Sequence, residues 1–125
     1  MKYDKVRDSG KRQKISTGAL RDSRAGKGRH DLISPIALRR LAQHYENGGL
    51  KYADRNWEKG IPLSRYVDSA TRHLNNYLEG MRDEDHLSAC AWNCFCIIHT
   101  EEMIERGLLP KKLNDLPNYT KKERK

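Results

Sequence analysis

The sequence lacks several features that would place it in a familiar class of protein. No apolar run approaches the ~20 residues that a helix needs to cross a bilayer, and the opening stretch MKYDKVRDSGKRQK contains no apolar segment typical of a secretory signal. P-loop, GxGxxG, GxSxG and HExxH motifs are also absent. We therefore expect a cytoplasmic protein without a membrane anchor, and not an enzyme of the classes that those motifs define.

Cysteine is scarce as well, with three residues, Cys90, Cys94 and Cys96, in a chain of 125. Their odd number and their CxxxC and CxC spacings fit neither a disulfide framework nor the paired CxxC motifs of a zinc site. We expect three reduced thiols packed on a buried helix. A metal or redox role is the alternative that the pattern leaves open.

The net charge of +8 favours nucleic acid as a partner until its distribution is considered. Residues 1–29 carry a net +7 and residues 108–125 a net +4, whereas residues 30–107 carry a net −3. The basic charge thus lies at the two ends, and the mildly acidic centre fits divalent-metal chemistry better.

Strand signals are few, and the hydrophobic periodicity predicts an all-α fold. We expect an extended or disordered basic arm (1–29), a helical domain that is a small bundle of three main helices (30–107), and a basic tail (108–125). The first helix begins at Ser34-Pro35, and its apolar pattern stops at Gly48-Gly49, although Leu50 and Tyr52 could continue it beyond a kink. The second is expected over about 62–80 and the third over about 84–106.

The third predicted helix has a centre, LSACAWNCFCII, that is apolar nearly all round, which indicates a buried helix. A helical core this small cannot easily cover such a helix by itself. The simplest remedy is a helical partner, so we expect a homo-oligomer, a dimer or a tetramer, formed through helices two and three.

Carboxylates near the helix ends form the first candidate site: Glu46, Asp68, Glu79, Asp83, Glu84 and Asp85. An antiparallel pairing of helices two and three would bring Glu79 close to Asp83, Asp85 and His86. Because hard cations take oxygen ligands, this convergence indicates a Mg²⁺ or Mn²⁺ site. The alternative is that Asp83 and Asp85 are ordinary acids of a helix N-terminus and that Glu79 is solvated.

A second candidate set consists of polar side chains within apolar helices: Arg72, His73, His86 and Asn93. His86 and Asn93 are seven residues apart and share one face of helix three. An unpaired amide in an apolar stretch costs free energy, so Asn93 needs a partner, which is either a ligand or a residue of helix two.

The segment KYADRNWEKG (51–60) is the third candidate, because it combines hydrogen-bond donors with aromatic rings. Its donors are Lys51, Arg55, Asn56 and Lys59, and its aromatic residues are Tyr52 and Trp57. Such a loop can stack a base and bind phosphates. The alternative is a surface loop with Trp57 folded over the core.

Four long motifs resemble a phage and prophage family, the dATP/dGTP diphosphohydrolase N-terminal domain. The family's GKxRxDLIPPxAL, GAxKYxxRNWxKG, AxRHLxxxxxGE and HLxxAAWN patterns resemble residues 26–38, 48–60, 70–80 and 86–93. This family is similar to the all-α, MazG-like nucleoside triphosphate pyrophosphatases, which are Mg²⁺-dependent oligomers with carboxylate ligands on ExxE and ExxD helices. Those two motifs are not complete here, because Glu46 stands alone and His86 and Ala89 occupy the start of helix three.

The resemblance implies an enzyme that converts a purine (deoxy)nucleoside triphosphate to the monophosphate and pyrophosphate, for control of the nucleotide pool in the host cytoplasm. It implies metal ligands at Glu46, Glu79, Asp83 and Asp85, with Glu46 or Glu79 orienting the attacking water. It implies nucleotide contacts from Lys51, Arg55, Asn56, Trp57, Arg72, His73, His86 and Asn93. The implied cofactor is Mg²⁺ or Mn²⁺.

Two other interpretations compete with this one. In the first, the protein has no catalytic activity, its basic arms bind nucleic acid without sequence preference, and its helices serve only to form oligomers. In the second, the chain is a small helical interaction module that keeps an inert relic of the site.

Overall fold

The computed structural model describes residues 5–121, which belong to two compact units with their boundary between Ile33 and Ser34. The first unit contains an antiparallel hairpin of two short strands, β1 (Arg12–Lys14) and β2 (Leu20–Asp22), in which Gln13 pairs with Arg21. A short 3-10 helix, His30–Leu32, follows.

The hairpin was not predicted from the sequence, since its strands are only three residues long and alternate no apolar residues. Its turn depends on Gly18, whose φ of +93° is a conformation that favours glycine. The side chain of Asp22 then accepts hydrogen bonds from Ser9 and Lys27. Local turn chemistry and polar contacts form this hairpin, so hydrophobic periodicity carries no signal of it.

The second unit contains the three predicted helices: α1 (Pro35–Lys51), α2 (Leu63–Leu78) and α3 (His86–Glu105). Helix α3 packs against both α2 and α1. Short 3-10 helices lie at Asn56–Lys59 and Lys111–Leu113. The mostly helical fold is therefore confirmed.

Helix α1 continues past Gly48-Gly49, where the apolar pattern stops, so of the two alternatives the structure has the continued helix. The amide of Tyr52 donates to the carbonyl of Gly48, which closes one further helical turn. The side chain of Asp54, in the following loop, lies close to Gly49, since a Cβ atom there would be 2.7 Å from its Oδ1 atom.

The core lies between α2 and α3. Leu63, Tyr66 and Cys96 are buried there, and Trp57 and Trp92 pack against them. The segment after α3 covers one side of this core, since Leu113 is buried and Leu116 contacts the same cluster. Asp115 also accepts hydrogen bonds from the amide and hydroxyl of Ser64, in the first turn of α2, where Pro62 offers no side-chain cap.

Helix α3 is less buried than its apolar composition predicted. Phe95 is 50% and Ile98 is 59% exposed, and among the cysteines Cys96 is buried, Cys90 is half-buried and Cys94 is exposed. All three cysteines are free thiols. Within residues 5–121, no helix is long and apolar enough to cross a membrane.

Candidate functional site

Polar side chains converge where the turn 79–85 joins α2 to α3. His73 lies in α2 and His86 is the first residue of α3. Their Nδ1 atoms lie 3.0 Å apart. Only 2% of the His86 side chain and 19% of the His73 side chain are exposed, so this pair of rings is largely enclosed.

The other ring nitrogen of His86 is bound to Asp83, whose Oδ1 atom lies 2.8 Å from Nε2. This hydrogen bond is the main reason that the pKa of Asp83 lies below its ordinary value. An ionised carboxylate only accepts hydrogen bonds, so Nε2 of His86 carries a proton. In the neutral ring, Nδ1 then accepts a hydrogen bond from the Nδ1–H group of His73.

Glu84 completes the group, with Oε1 3.7 Å from Nδ1 of His73. One ligand atom each from His73, Glu84 and His86 lies within 4.8 Å of the other two, which is close enough for all three to hold one metal ion. Burial is the largest cause of a lowered pKa at His73, and this favours the neutral imidazole that a metal requires. We call these three residues the His73–Glu84–His86 cluster.

Asp85 is adjacent in sequence but has different partners. Its carboxylate accepts two hydrogen bonds from the guanidinium of Arg40, at 2.9 and 2.6 Å. It also caps α3 by accepting from the amide and hydroxyl of Ser88. The bonds from Arg40 are the largest cause of a pKa well below the usual range of an aspartate, and they link α1 to the start of α3.

A cleft of about 180 Å³ lies next to the cluster, between α1 and the turn that precedes α3. Its lining residues are Arg40, Gln43, His44, Asn47, Glu84 and Asp85. The ring of His44 packs against that of Trp92, with 5.5 Å between the ring centroids. Burial lowers the pKa of His44. Glu84 borders both the cleft and the cluster.

The two glutamates with a predicted catalytic role are not in the cluster. Glu46 lies on α1 and accepts a hydrogen bond at 2.9 Å from Gln43, which lines the cleft. Glu79 is the exposed C-cap residue of α2, and within residues 5–121 its carboxylate has no hydrogen bond or ion pair. Asp68 pairs with Arg72 on an exposed face of α2.

Asn93 is 2% exposed and finds its partners within the bundle. Its Nδ2 atom donates to the carbonyl of Ala89 at 2.8 Å and to the hydroxyl of Ser69, in α2, at 3.3 Å. Of the two alternatives for this amide, the structure has the one with a helix-two partner.

The segment 51–60 folds against the bundle. Trp57 packs edge-on against His99 at 4.8 Å, and its carbonyl accepts a hydrogen bond from Tyr66. Arg55 pairs with Glu58 and adopts a left-handed conformation, with a φ of +59°. Lys51 ends α1 and Asn56 begins the 3-10 helix. The structure therefore places Trp57 over the core.

The cleft residues of α1 were missed by the sequence analysis, although their signal is present. Arg40, Gln43, His44 and Asn47 follow the i, i+3, i+4, i+7 spacing of one helix face. The same spacing that indicates an apolar face of a helix indicates this polar face of α1. Glu84 was among the considered carboxylates but was not selected as a site residue.

Comparison with known proteins gives one match. No curated protein and no solved structure matches the chain. A family model described as dATP/dGTP diphosphohydrolase, N-terminal, matches residues 17–107. This range includes the cluster, the cleft and all three helices, and it confirms the family that the sequence motifs resemble. The chain belongs to the dATP/dGTP diphosphohydrolase N-terminal family.

Proposed function

We propose that this protein is a divalent-cation-dependent diphosphohydrolase that converts a purine deoxynucleoside triphosphate to the monophosphate and pyrophosphate. Family membership supports the reaction class. The observation that carries the proposal is the His73–Glu84–His86 cluster, which can hold a cation next to a polar cleft. A triphosphate is strongly anionic, and hydrolysis at its α-phosphorus requires a site that offsets this charge.

The ligand types of the His73–Glu84–His86 cluster differ from the carboxylates that were predicted to bind Mg²⁺. Glu46, Glu79 and Asp85 lie outside the His73–Glu84–His86 cluster, so we do not count these carboxylates, which favour Mg²⁺, among its ligands. Two imidazole nitrogens and one carboxylate form a set that a divalent transition-metal ion accepts. When bound there, such an ion supplies charge neutralisation and polarisation of the phosphoryl group.

The side chains of the cleft would bind and orient the nucleotide. Arg40 is held in place by its two hydrogen bonds to Asp85, yet 59% of its side chain is exposed and can meet a phosphate. The amide groups of Gln43 and Asn47 offer further donors and acceptors. Glu46, which lies beside Gln43, is the carboxylate that we propose to orient the attacking water.

The family match favours this proposal over the nucleic-acid alternative, because the family is named for action on nucleotides. Under this proposal the basic residues of the first 29 positions are not required for hydrolysis.

We further propose that copies of the chain associate through the exposed apolar residues of α3. Phe95 and Ile98 are at least half exposed, whereas the apolar residues buried in the second unit are few. They are Leu41, Leu63, Tyr66, Ala70, Ala89, Cys96 and Leu113. A second copy offers the same apolar surface and would cover both residues by symmetry.

The test is incubation of the protein with each of the eight common nucleoside and deoxynucleoside triphosphates, in Mg²⁺ and in Mn²⁺, with products separated by ion exchange. We expect a purine monophosphate and pyrophosphate in equal amounts. His73→Asn should abolish turnover, whereas Glu101→Gln, which lies fifteen residues after His86 on α3, should not. Absence of hydrolysis in every mixture, or equal rates for His73→Asn and the native protein, would overturn the proposal.

A further inference from the structure

We infer that the His73–Glu84–His86 cluster binds a divalent transition-metal ion through the Nδ1 atoms of the two histidines, with Asp83 as a positioning residue, and that this site discriminates against Mg²⁺. The inference deepens the proposed function and rests on it for the catalytic meaning of the ion. Metal binding itself is measurable without a nucleotide.

The spacing of the two imidazoles is the first argument. Their Nδ1 atoms lie 3.0 Å apart. Two nitrogen ligands that are each ~2.1 Å from one ion lie about 3.0 Å apart at a right angle and about 3.4 Å apart at the tetrahedral angle. The rings are therefore already spaced as neighbouring ligands, although His73 belongs to α2 and His86 to α3.

The hydrogen bond from His86 to Asp83 is the second argument. It keeps the proton on Nε2 of His86 and leaves the lone pair of Nδ1 facing His73, whose own Nδ1 proton would move to its Nε2 atom when both Nδ1 atoms bind the ion. A metal-bound histidine commonly donates its other N–H group to a carboxylate, which fixes the ring and raises its basicity. The side chain of His86 is nearly enclosed, whereas that of Asp83 is 62% exposed. Asp83 therefore orients the His86 ring through this hydrogen bond without covering it.

The remaining access to the cluster is the third argument. Glu84 is 55% exposed and also lines the cleft, so the side of the cluster away from the core faces solvent. Three protein ligands with an open position are typical of catalytic metal sites, in which water or substrate completes the coordination. An enclosed structural site would instead use four protein ligands.

The donor types are the fourth argument. Imidazole nitrogen suits zinc, iron, nickel and copper, whereas Mg²⁺ demands oxygen ligands in near-octahedral geometry. The cluster offers two nitrogens and one carboxylate. The half-buried Cys90 and the exposed Cys94 are accessible soft ligands that could compete for the ion, and they lie four and eight residues after His86, respectively, on the same helix. The test has to separate the two groups.

The test is a calorimetric titration of the full chain with CoCl₂ and with MgCl₂, in the absence of nucleotide, together with the visible spectrum of the Co²⁺ complex. We expect one Co²⁺ ion per chain, bound at least about tenfold more tightly than Mg²⁺. The double variant Cys90→Ser, Cys94→Ser should keep both the affinity and the spectrum. His73→Asn should lose the site, and Asp83→Asn should weaken it by roughly 10- to 100-fold.

Glu84→Gln and Glu101→Gln form a matched pair of test and control, since each substitution removes one negative charge from an exposed glutamate. Glu84→Gln should weaken Co²⁺ binding and alter the spectrum, whereas Glu101→Gln should do neither. Circular dichroism identifies any variant that fails to fold. If His73→Asn does not fold, the variants at the exposed residues Asp83 and Glu84 decide whether the cluster binds the ion. The inference is overturned if the native chain binds no Co²⁺, if the cysteine variant loses the site, or if Glu84→Gln and Asp83→Asn both bind like the native chain. Binding without hydrolysis would refute the proposed function alone.

Discussion

Asp83 and His86 form a hydrogen bond of 2.8 Å between an exposed carboxylate and a ring nitrogen of a buried histidine. This contact explains how the polar side chain of His86 can be buried at the start of the apolar helix α3. One nitrogen of the ring is satisfied by Asp83, and the other faces His73. A buried imidazole whose two nitrogens are both hydrogen-bonded has a fixed orientation, and a metal ligand needs such an orientation.

Asp85→Ala should lower the free energy of unfolding by about 1 kcal/mol, the usual cost of a lost N-cap. Asp85 caps α3 and also pairs with Arg40, so the alanine variant loses both contacts. Arg40→Ala loses only an exposed ion pair and should cost less. Urea denaturation of the two variants checks this order. Equal losses in both variants would show that the cap contributes little.

Asp115→Asn should destabilise the protein at pH 7 and have little effect at pH 2. The two hydrogen bonds from Ser64 lower the pKa of Asp115 in the folded state below its ordinary 3.8. A lowered folded-state pKa contributes stability above the unfolded-state pKa, and this contribution disappears as the pH falls through the folded-state value. Thermal unfolding of both proteins across this range measures the difference. A deficit that is constant with pH would contradict the ionised cap.

Thr100→Val should raise the free energy of unfolding by about 1 kcal/mol. Thr100 is 1% exposed, and among the described residues 5–121 its hydroxyl has no hydrogen-bond partner. Valine has the same shape and removes the unpaired group, so the cost of desolvating it disappears. Urea denaturation gives the sign. A loss of stability would indicate that the hydroxyl is bonded in solution.

Ile98→Glu should convert the proposed oligomer to a monomer, because it places a charge within the exposed apolar residues of α3. Light scattering after size-exclusion chromatography measures the mass of the native and variant proteins. Arg39→Gln, at an exposed position of α1, is the control, because it makes the same change in net charge outside α3. A monomeric native protein at high concentration would contradict the proposed association.

The helices were predictable because their signals are local. Ser34 caps α1, and Asp85 accepts the capping bond of α3. The continuation of α1 through Gly48-Gly49 was left open by the sequence, because glycine weakens a helix at the point where the apolar pattern stops. The all-round apolar pattern of α3 indicated that the small core could not cover the whole helix, but not which residues, such as Phe95, remain exposed.

The candidate site was only partly predictable for a related reason. The sequence placed Asp83 and His86 near the turn, and it marked His73 as a polar residue in an apolar helix. Which side chains share a space depends on helix rotation, and the rotation brings His73 rather than Glu79 to His86. Charge type alone had favoured the carboxylates, so His44 was not considered, and nothing in the sequence ranked Glu84 above the other carboxylates.

The most direct test of the account is hydrolysis of dATP and dGTP in water enriched with ¹⁸O, followed by mass spectrometry of both products. Attack at the α-phosphorus predicts the label in the nucleoside monophosphate and none in the pyrophosphate, with the reaction lost in His73→Asn. Label in pyrophosphate or in inorganic phosphate, or no hydrolysis of either nucleotide, would contradict the account.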